Sequence, residues 1–186
     1  MKKLNLGIIG TGWPGQMHAE AIRSGKLANI RAAADLNEER LSAFIEQYQP
    51  AKCHGDYHGL LHDPEIDAVI ICLPNFLHFP ASLAALENGK HVLCEKPISL
   101  TVEEAIPLLS VRDRTGVLIE EAFMVRTNPQ WVSVLEMIRD GKIGEVRSLT
   151  GYFSYNNQDP NNIRNILEFG GGALMDIGCY LMGLLL

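Results

Sequence analysis

The chain has 186 residues, with 16 Lys and Arg against 22 Asp and Glu, and a formal net charge of −6. Hydrophobic residues make up 47% of it and charged residues 20%, a composition that excludes a disordered chain and is sufficient for a folded core. The acidic balance argues against a nucleic-acid partner, because contacts with phosphates need clustered Lys and Arg.

The same composition predicts a protein without a membrane segment. The most apolar run, 173–186, is shorter than the ~18 residues of a transmembrane helix and contains Asp176. The apolar run at the N-terminus is too short for a signal peptide. The four cysteines are widely separated and form no C-x-x-C pair, which is typical of reduced thiols. We therefore expect a cytoplasmic protein.

Strand-like apolar runs alternate with helix-like runs through the first two thirds of the chain. The predicted strands are 4–9, 30–34, 68–73, 91–94 and 117–120, and the predicted helices are 14–24, 37–48, 80–88 and 102–114. Uniformly apolar strands such as AVIICL are typical of parallel sheets covered on both faces. The alternation predicts a doubly wound α/β sheet with right-handed crossovers.

The pattern changes after residue 121. The predicted elements there are a helix over 129–139, a half-exposed strand over 145–155, a polar loop over 156–165 and a glycine-rich helix start at 170–172. We therefore divide the chain into a complete first domain, 1–121, and the beginning of a second, α+β domain, 122–186.

The first predicted turn carries a dinucleotide-binding motif. The sequence GTGWPG is G-x-G-x-x-G placed between a strand and a helix, which is the context the motif requires. Its glycines permit a tight turn, close approach of a pyrophosphate and close packing of helix on strand, and the helix N-terminus offers N–H groups to the phosphates. Gly10, Gly12, Trp13 and Gly15 are thus predicted cofactor contacts; the alternative is a structural glycine turn.

Asp35 and Arg40, which follow the second predicted strand, bear on the choice between NAD and NADP as cofactor. Asp35 ends that strand, where a carboxylate accepts hydrogen bonds from ribose hydroxyls and repels a 2′-phosphate. This favours NAD, while the nearby Arg40 leaves NADP open. The alternative for Asp35 is to cap the turn that follows it.

Loops after the later strands supply further candidates, because ligands of an open α/β sheet bind outside the carboxyl ends of its strands. Pro74, Asn75 and His78 follow the third strand and are predicted to line the cofactor crevice, with capping as an alternative for Asn75. Lys96 follows the fourth strand in CEKP. A lysine beside a reacting oxygen orients substrate and stabilises developing negative charge.

The second domain contributes Asp176 and Tyr180, which lie four residues apart and so share one face of an α-helix. Asp176 is ionisable in an otherwise apolar helix and therefore needs a partner or a function. Hydride transfer between an alcohol carbon and nicotinamide requires a proton to move at the oxygen. We predict that Tyr180 handles this proton and that Asp176 holds the substrate hydroxyls or Lys96.

Several segments together resemble the Gfo/Idh/MocA oxidoreductase family. They occur in the family's order over essentially the whole chain: GIIGTGWPGQMH, PNFLH, CEKP, EAFMVRTNPQ and GGGALMDIGCY. The segment FSYNNQDPNNIRN is similar to the glucose–fructose oxidoreductase branch, which acts on sugars and polyols. The resemblance implies a Rossmann domain followed by an α+β substrate domain.

For the site, the resemblance implies that Lys96 is the lysine of the family's EKP motif and that Glu95 helps to shape the nicotinamide end. Asp176 and Tyr180 then complete the catalytic group, with Tyr180 where many members carry His. Arg164 matches the NIRN of the glucose–fructose branch and is implied in the sugar pocket or a cofactor-facing loop.

Family members are longer and continue into an open antiparallel sheet that forms the substrate floor and often a dimer interface. Without that sheet, we expect the apolar faces of 145–155 and of the last helix to promote association into a homo-oligomer.

A group of potential metal ligands lies between the second and third predicted strands. Its members are Cys53, His54, Asp56, His58, His62 and Asp63. Three of the histidines would align on a helix, but Gly55 and Gly59 disfavour one. We predict a loop with a short turn there, and no metal site.

The leading hypothesis is an NAD(P)-dependent oxidoreductase that transfers a hydride between nicotinamide and a carbon of a small-molecule sugar or polyol. The alternative is a non-catalytic nucleotide-binding module or an inactive, shortened relative.

Overall fold

The computed structural model describes residues 3–183. The chain divides into two compact units, Met1–Glu121 and Ala122–Leu186. Among the described residues, no helix combines the length and the apolar character that crossing a membrane requires.

The first unit is built on a six-stranded sheet in the order β3-β2-β1-β4-β5-β6. Its strands are β1 (Leu4–Ile9), β2 (Ala28–Ala34), β3 (Lys52–His54), β4 (Ala68–Ile71), β5 (His91–Glu95) and β6 (Ile119–Ala122). Neighbouring strands from β3 to β5 pair in parallel. The strand order reverses between β1 and β4, and open α/β sheets bind ligands at the carboxyl ends of such strands. The predicted Rossmann sheet is confirmed.

Five helices connect these strands: α1 (Trp13–Ser24), α2 (Glu38–Tyr48), α3 (Tyr57–Leu61), α4 (His78–Glu87) and α5 (Val102–Thr115). Local sequence explains several of their ends. The side chain of Asn37 accepts a hydrogen bond from Arg40 N at the start of α2, and Thr101 caps α5 in the same way. Gly116, with φ +73°, ends α5 in the left-handed conformation that glycine favours.

Apolar side chains cover both faces of the sheet. Ile8 and Ile9 are neighbours on β1, yet Ile8 packs with Ala33 and Phe44 while Ile9 belongs to a larger cluster that includes Leu86. Successive strand residues point to opposite faces, so each face has its own core. This burial explains why the central strand β4, with the sequence AVII, is uniformly apolar.

The loop predicted over 53–63 is wrong in part, since the segment contains the end of β3 and the short helix α3. The side chain of Asp56 accepts a hydrogen bond from His58 N and so caps the helix start. Gly59 lies inside α3, where an added Cβ would be 2.8 Å from the Nδ1 of His54. The close approach of α3 to β3 therefore requires this glycine despite its low helix propensity.

The second unit is mainly irregular. It contains α6 (Pro129–Arg139), a π-helical segment (Leu174–Gly178), α7 (Cys179–Gly183) and three short 3-10 turns (Met124–Arg126, Ile163–Asn165 and Leu167–Phe169). The side chain of Asn128 caps the start of α6 by accepting from Gln130 N, and Gly141, with φ +70°, follows its end.

The strand predicted over 145–155 does not form. A strand needs the hydrogen bonds of a neighbouring strand, and none lies within the described residues 123–183. The apolar side chains of Val146, Leu149 and Phe153 are about half exposed. The sequence pattern is typical of a strand, but a partner is required to realise it.

The helix predicted after the glycine run forms, but its first part is a π-helical segment rather than a regular α-helix. Asp176 lies in the π-helical segment, whereas Tyr180 lies in the first turn of α7. A π-helix bonds residues five apart, so the two side chains do not have the spacing of a single regular α-helix.

Candidate functional site

The glycine loop between β1 and α1 is packed too tightly for side chains at two of its positions. Gly10 has φ +92°, and a Cβ there would lie 2.5 Å from Cys72 O. A Cβ at Gly15 would lie 2.1 Å from Gly10 O. These two glycines therefore bring β1, β4 and α1 into close contact, as the motif predicts.

The middle glycine has a different role, because the space beside it is open. A Cβ at Gly12 would meet only the Cδ of Pro14 within 4 Å, at 3.9 Å. Pro14 has no N–H, so Trp13 and Gly15 supply the outward amides of the first turn of α1. An open cradle at a helix N-terminus fits a pyrophosphate.

Asp35 is bound on both of its oxygens. Oδ2 accepts hydrogen bonds from Thr11 N at 2.7 Å and Thr11 Oγ1 at 2.8 Å, and Oδ1 accepts one from Asn37 N at 2.9 Å. The carboxylate thus caps the turn after β2 and also ties that turn to the glycine loop. Arg40, on α2, is exposed. Thr11 is a site residue that the sequence reasoning missed.

His78, which is predicted to line the cofactor crevice, has a buried side chain that is only 1% exposed. Its ring nitrogens lie 2.6 Å from Pro97 O and 2.7 Å from Leu73 O. Burial lowers the pKa of this imidazole, which outweighs the opposite effect of its hydrogen bonds. His78 therefore links the loop after β4 to the loop after β5. Pro74 and Asn75, in the first of these loops, are half-buried.

The EKP segment is tied to α1 by a contact that local sequence patterns do not predict. Glu95, at the end of β5, lies 2.8 Å through Oε1 from Nε2 of His18. His18 belongs to α1, the helix that opens at the glycine loop. His18 is the last residue of GIIGTGWPGQMH, and its place in that segment is the only sign in the sequence that it belongs to the site. Lys96 follows directly and is half-buried.

In the second unit, Asp176 is 9% exposed and has partners on both oxygens. The hydroxyl of Tyr155 donates to Oδ2, and Nε of Arg164 donates to Oδ1 at 3.1 Å. The hydrogen bond to Asp176, together with burial, raises the pKa of Tyr155. Asp176 thus has the partner that an ionisable group in an apolar helix requires, and the sequence does not predict its contact with Tyr155.

Tyr180 lies among aromatic rings of the same unit. Its ring stacks on that of Phe123, with centroids 5.2 Å apart and planes 8° from parallel, and the Phe153 ring centroid is 5.9 Å away. Such packing restricts the ring of Tyr180 and leaves its hydroxyl as the polar end.

The histidine-rich segment provides no metal centre in the structure. Across residues 3–183, no group of three or more His, Cys, Asp or Glu side chains could hold a metal ion. His62 instead has its Nδ1 2.7 Å from the carbonyl oxygen of His58.

The fold and the glycine loop define a Rossmann domain with a dinucleotide-binding motif, and sequence comparison identifies its family. Residues 4–123 match the oxidoreductase family with an NAD-binding Rossmann fold, and residues 131–186 match the GFO/IDH/MocA C-terminal domain. The chain belongs to the Gfo/Idh/MocA oxidoreductase family.

Individual relatives agree with this assignment. The chain is 42% identical to "Uncharacterized oxidoreductase ORF334" of Rhizobium meliloti, over 97% of this chain and 54% of that protein. It is 35% identical to D-xylose 1-dehydrogenase (NADP(+)) 2 of Haloferax volcanii, over 94% of this chain and 54% of that protein. The chain spans about half the length of the curated relatives it matches.

A solved structure matches both parts of the chain. KijD10, a 3-ketoreductase from Actinomadura kijaniata in complex with NADP and TDP-benzene, has a TM-score of 0.89 and 33% identity to this chain. The match covers 96% of this chain and 55% of the ketoreductase.

Proposed function

We propose that this chain belongs to an NAD(P)-dependent oxidoreductase that acts on a CH–OH group of a small-molecule sugar or polyol. The observation that carries the proposal is the cradle at Gly12, open beside the first turn of α1 and flanked by two glycines that admit no side chain. The relatives named for D-xylose oxidation and 3-keto reduction support a sugar-like substrate.

The cofactor would be held by residues of the first unit. The amides of Trp13 and Gly15 would bind the pyrophosphate, and Asp35 would bind the adenosine ribose. Asp35 favours NAD, whereas exposed Arg40 and the NADP-bound relative support NADP. Further contacts toward the nicotinamide are assigned to Pro74, Asn75, Glu95 and Lys96.

The bound nicotinamide would supply the hydride donor or acceptor. Lys96 is proposed to orient the reacting oxygen and stabilise negative charge on it. Tyr180 is proposed to take the hydroxyl proton in oxidation and return it in reduction. Asp176, which Arg164 holds at one oxygen, is proposed to fix the substrate hydroxyls.

The proposal is tested with Lys96→Ala and Tyr180→Phe in the protein that carries this chain. Both variants are expected still to bind dinucleotide and to lose at least about 100-fold in sugar-dependent formation of reduced nicotinamide, the range of general acid–base catalysis. Tyr152→Phe is a control, because Tyr152 is 92% exposed. Unchanged turnover in both variants would contradict the proposed roles, and dinucleotide binding without any turnover would favour a non-catalytic module.

A further inference from the structure

The middle residue of the G-x-G turn makes an unusual pair of hydrogen bonds. Thr11 is 0% exposed, and its N–H and its hydroxyl both donate to Oδ2 of Asp35, at 2.7 and 2.8 Å. Its backbone amide is thereby committed to Asp35 rather than to a phosphate. The hydroxyl adds a second donor to the same oxygen.

Counting acceptor positions shows what remains open on Asp35. Each oxygen of a carboxylate has two lone pairs. Thr11 occupies both positions on Oδ2, and Asn37 N occupies one on Oδ1 at 2.9 Å. One acceptor position is left, on Oδ1. Three hydrogen bonds to two separate loops also prevent the carboxylate from rotating.

We propose that Thr11 is a specificity-determining residue that selects NAD over NADP through Asp35. This inference rests on the proposed dinucleotide-binding function. By saturating Oδ2, Thr11 directs the remaining acceptor position of Asp35 toward a single ribose hydroxyl. By holding the carboxylate in place, it also keeps a negative charge that cannot turn away from a 2′-phosphate.

Specificity is a difference between two affinities, so a repulsive element has to stay in position to be effective. A freely rotating carboxylate could move aside when a phosphate binds, and the discrimination would then weaken. A purely structural role of Thr11 in the glycine loop would instead change the affinities for both cofactors by the same factor. The ratio of the two affinities therefore separates the two roles.

The experiment compares Thr11→Val, which keeps the shape and removes the hydroxyl, with Thr11→Ser, which keeps the hydroxyl. Dissociation constants for NAD⁺ and NADP⁺ are measured by calorimetry on each protein. Because hydrogen bonds to charged groups are the strong ones, Thr11→Val should lower the NAD-over-NADP preference about tenfold, and Thr11→Ser should leave it within about twofold. Thr11→Ala provides a second variant without the hydroxyl should the valine variant fold poorly.

A double substitution tests whether Thr11 acts through Asp35. Asp35→Ala should itself reduce the preference for NAD, and adding Thr11→Val to it should change the preference no further. A Thr11→Val protein with the original preference, or one that binds NAD⁺ more tightly, would overturn the inference. An unaltered protein that binds neither dinucleotide would overturn the proposed function as well, so the two failures are distinguishable.

Discussion

Two carboxylates, one in each unit, are held by hydrogen bonds from groups of their own unit. Asp35 is fixed by Thr11 and by the amide of Asn37, and Asp176 is fixed by Tyr155 and Arg164. A charged group with little access to water requires such partners, and they also orient it before any ligand arrives. The geometry of both carboxylates is therefore set by the fold.

Tyr155→Phe is expected to remove stability at neutral pH but not at alkaline pH. The hydrogen bond to Asp176 favours the protonated phenol and raises its pKa, so its contribution is present below about pH 10 and is lost as the pH rises through the higher pKa of the folded state. We expect a loss of about 1 kcal/mol in the free energy of unfolding at pH 7. Denaturant titrations at pH 7 and above the folded pKa measure it.

The matched control for Tyr155→Phe is Tyr152→Phe, since Tyr152 is largely exposed. That variant should show no such pH dependence. Equal stability losses for Tyr155→Phe at both pH values would contradict a hydrogen bond that depends on the phenolic proton.

The buried imidazole of His78 is expected to make the protein less stable at acidic pH. Burial lowers the pKa of its imidazole, so the unfolded chain binds a proton more readily than the folded one. The free energy of unfolding should therefore fall as the pH drops below about 6.5, until the lower pKa of the folded state is passed. His78→Gln should reduce this slope, whereas His58→Gln, at an exposed position, should retain it. Identical acid slopes in unaltered protein and His78→Gln would contradict the prediction.

The sequence predicts those site residues whose role depends on local order. The helix predicted over 37–48 forms and is capped by Asn37, and Gly10 and Gly15 pack as the motif requires. The contacts of Thr11, His18 and Tyr155 were missed, because each acts through a partner far away in the chain. No local periodicity contains such a contact, and only the folded chain brings the two groups together.

The segment formed by β1, the glycine loop and α1 contains one glycine that folding requires and one that we expect only dinucleotide binding to require. Gly15→Ala would place Cβ 2.1 Å from Gly10 O, a backbone atom, so this variant should be strongly destabilised. Gly12→Ala has open space and a φ of −65°, so it should fold normally. Its methyl group would occupy the cradle proposed for the pyrophosphate.

We therefore expect Gly12→Ala to keep the melting temperature of the unaltered protein and to lose at least about tenfold in dinucleotide affinity. Thermal unfolding and calorimetric titration of both variants provide the measurement. Tight binding by Gly12→Ala would show that the cradle is not where the pyrophosphate lies.

Elements that bury apolar residues by themselves were predicted closely, and elements that depend on a neighbour were not. Strands β1, β2, β4 and β5 form where the strand-like runs of the sequence predict them, and they belong to one sheet. Helix α3 was missed because close packing against β3 outweighs its glycine. Segment 145–155 has the alternation of a strand, but a strand forms only where hydrogen-bonding partners exist.

Apolar side chains of the second unit are exposed on the surface of the molecule. Leu149 and Phe153 are about half exposed in segment 145–155, and we predict that copies of the chain associate through such residues. Sedimentation at several protein concentrations should show a rising mass that Leu149→Asp combined with Phe153→Asp suppresses. Leu27→Asp, at an exposed position of the first unit, should behave like the unaltered chain. A monomer at every concentration would contradict the prediction.

The family assignment rests on motifs distributed along the whole chain, which is why the sequence supports it more securely than any single side-chain role. Residues 4–123 and 131–186 match the two domains of one oxidoreductase family. The substrate and a location in the cytoplasm remain predictions, because they depend on features outside the motifs.

Calorimetric titration of the chain with NAD⁺ and with NADP⁺ tests the proposed function most directly. We predict saturable binding of a dinucleotide at a single site, with NAD⁺ bound more tightly than NADP⁺ because the fixed charge of Asp35 is proposed to face the ribose. The absence of saturable binding for either dinucleotide, in a protein that unfolds cooperatively, would contradict it.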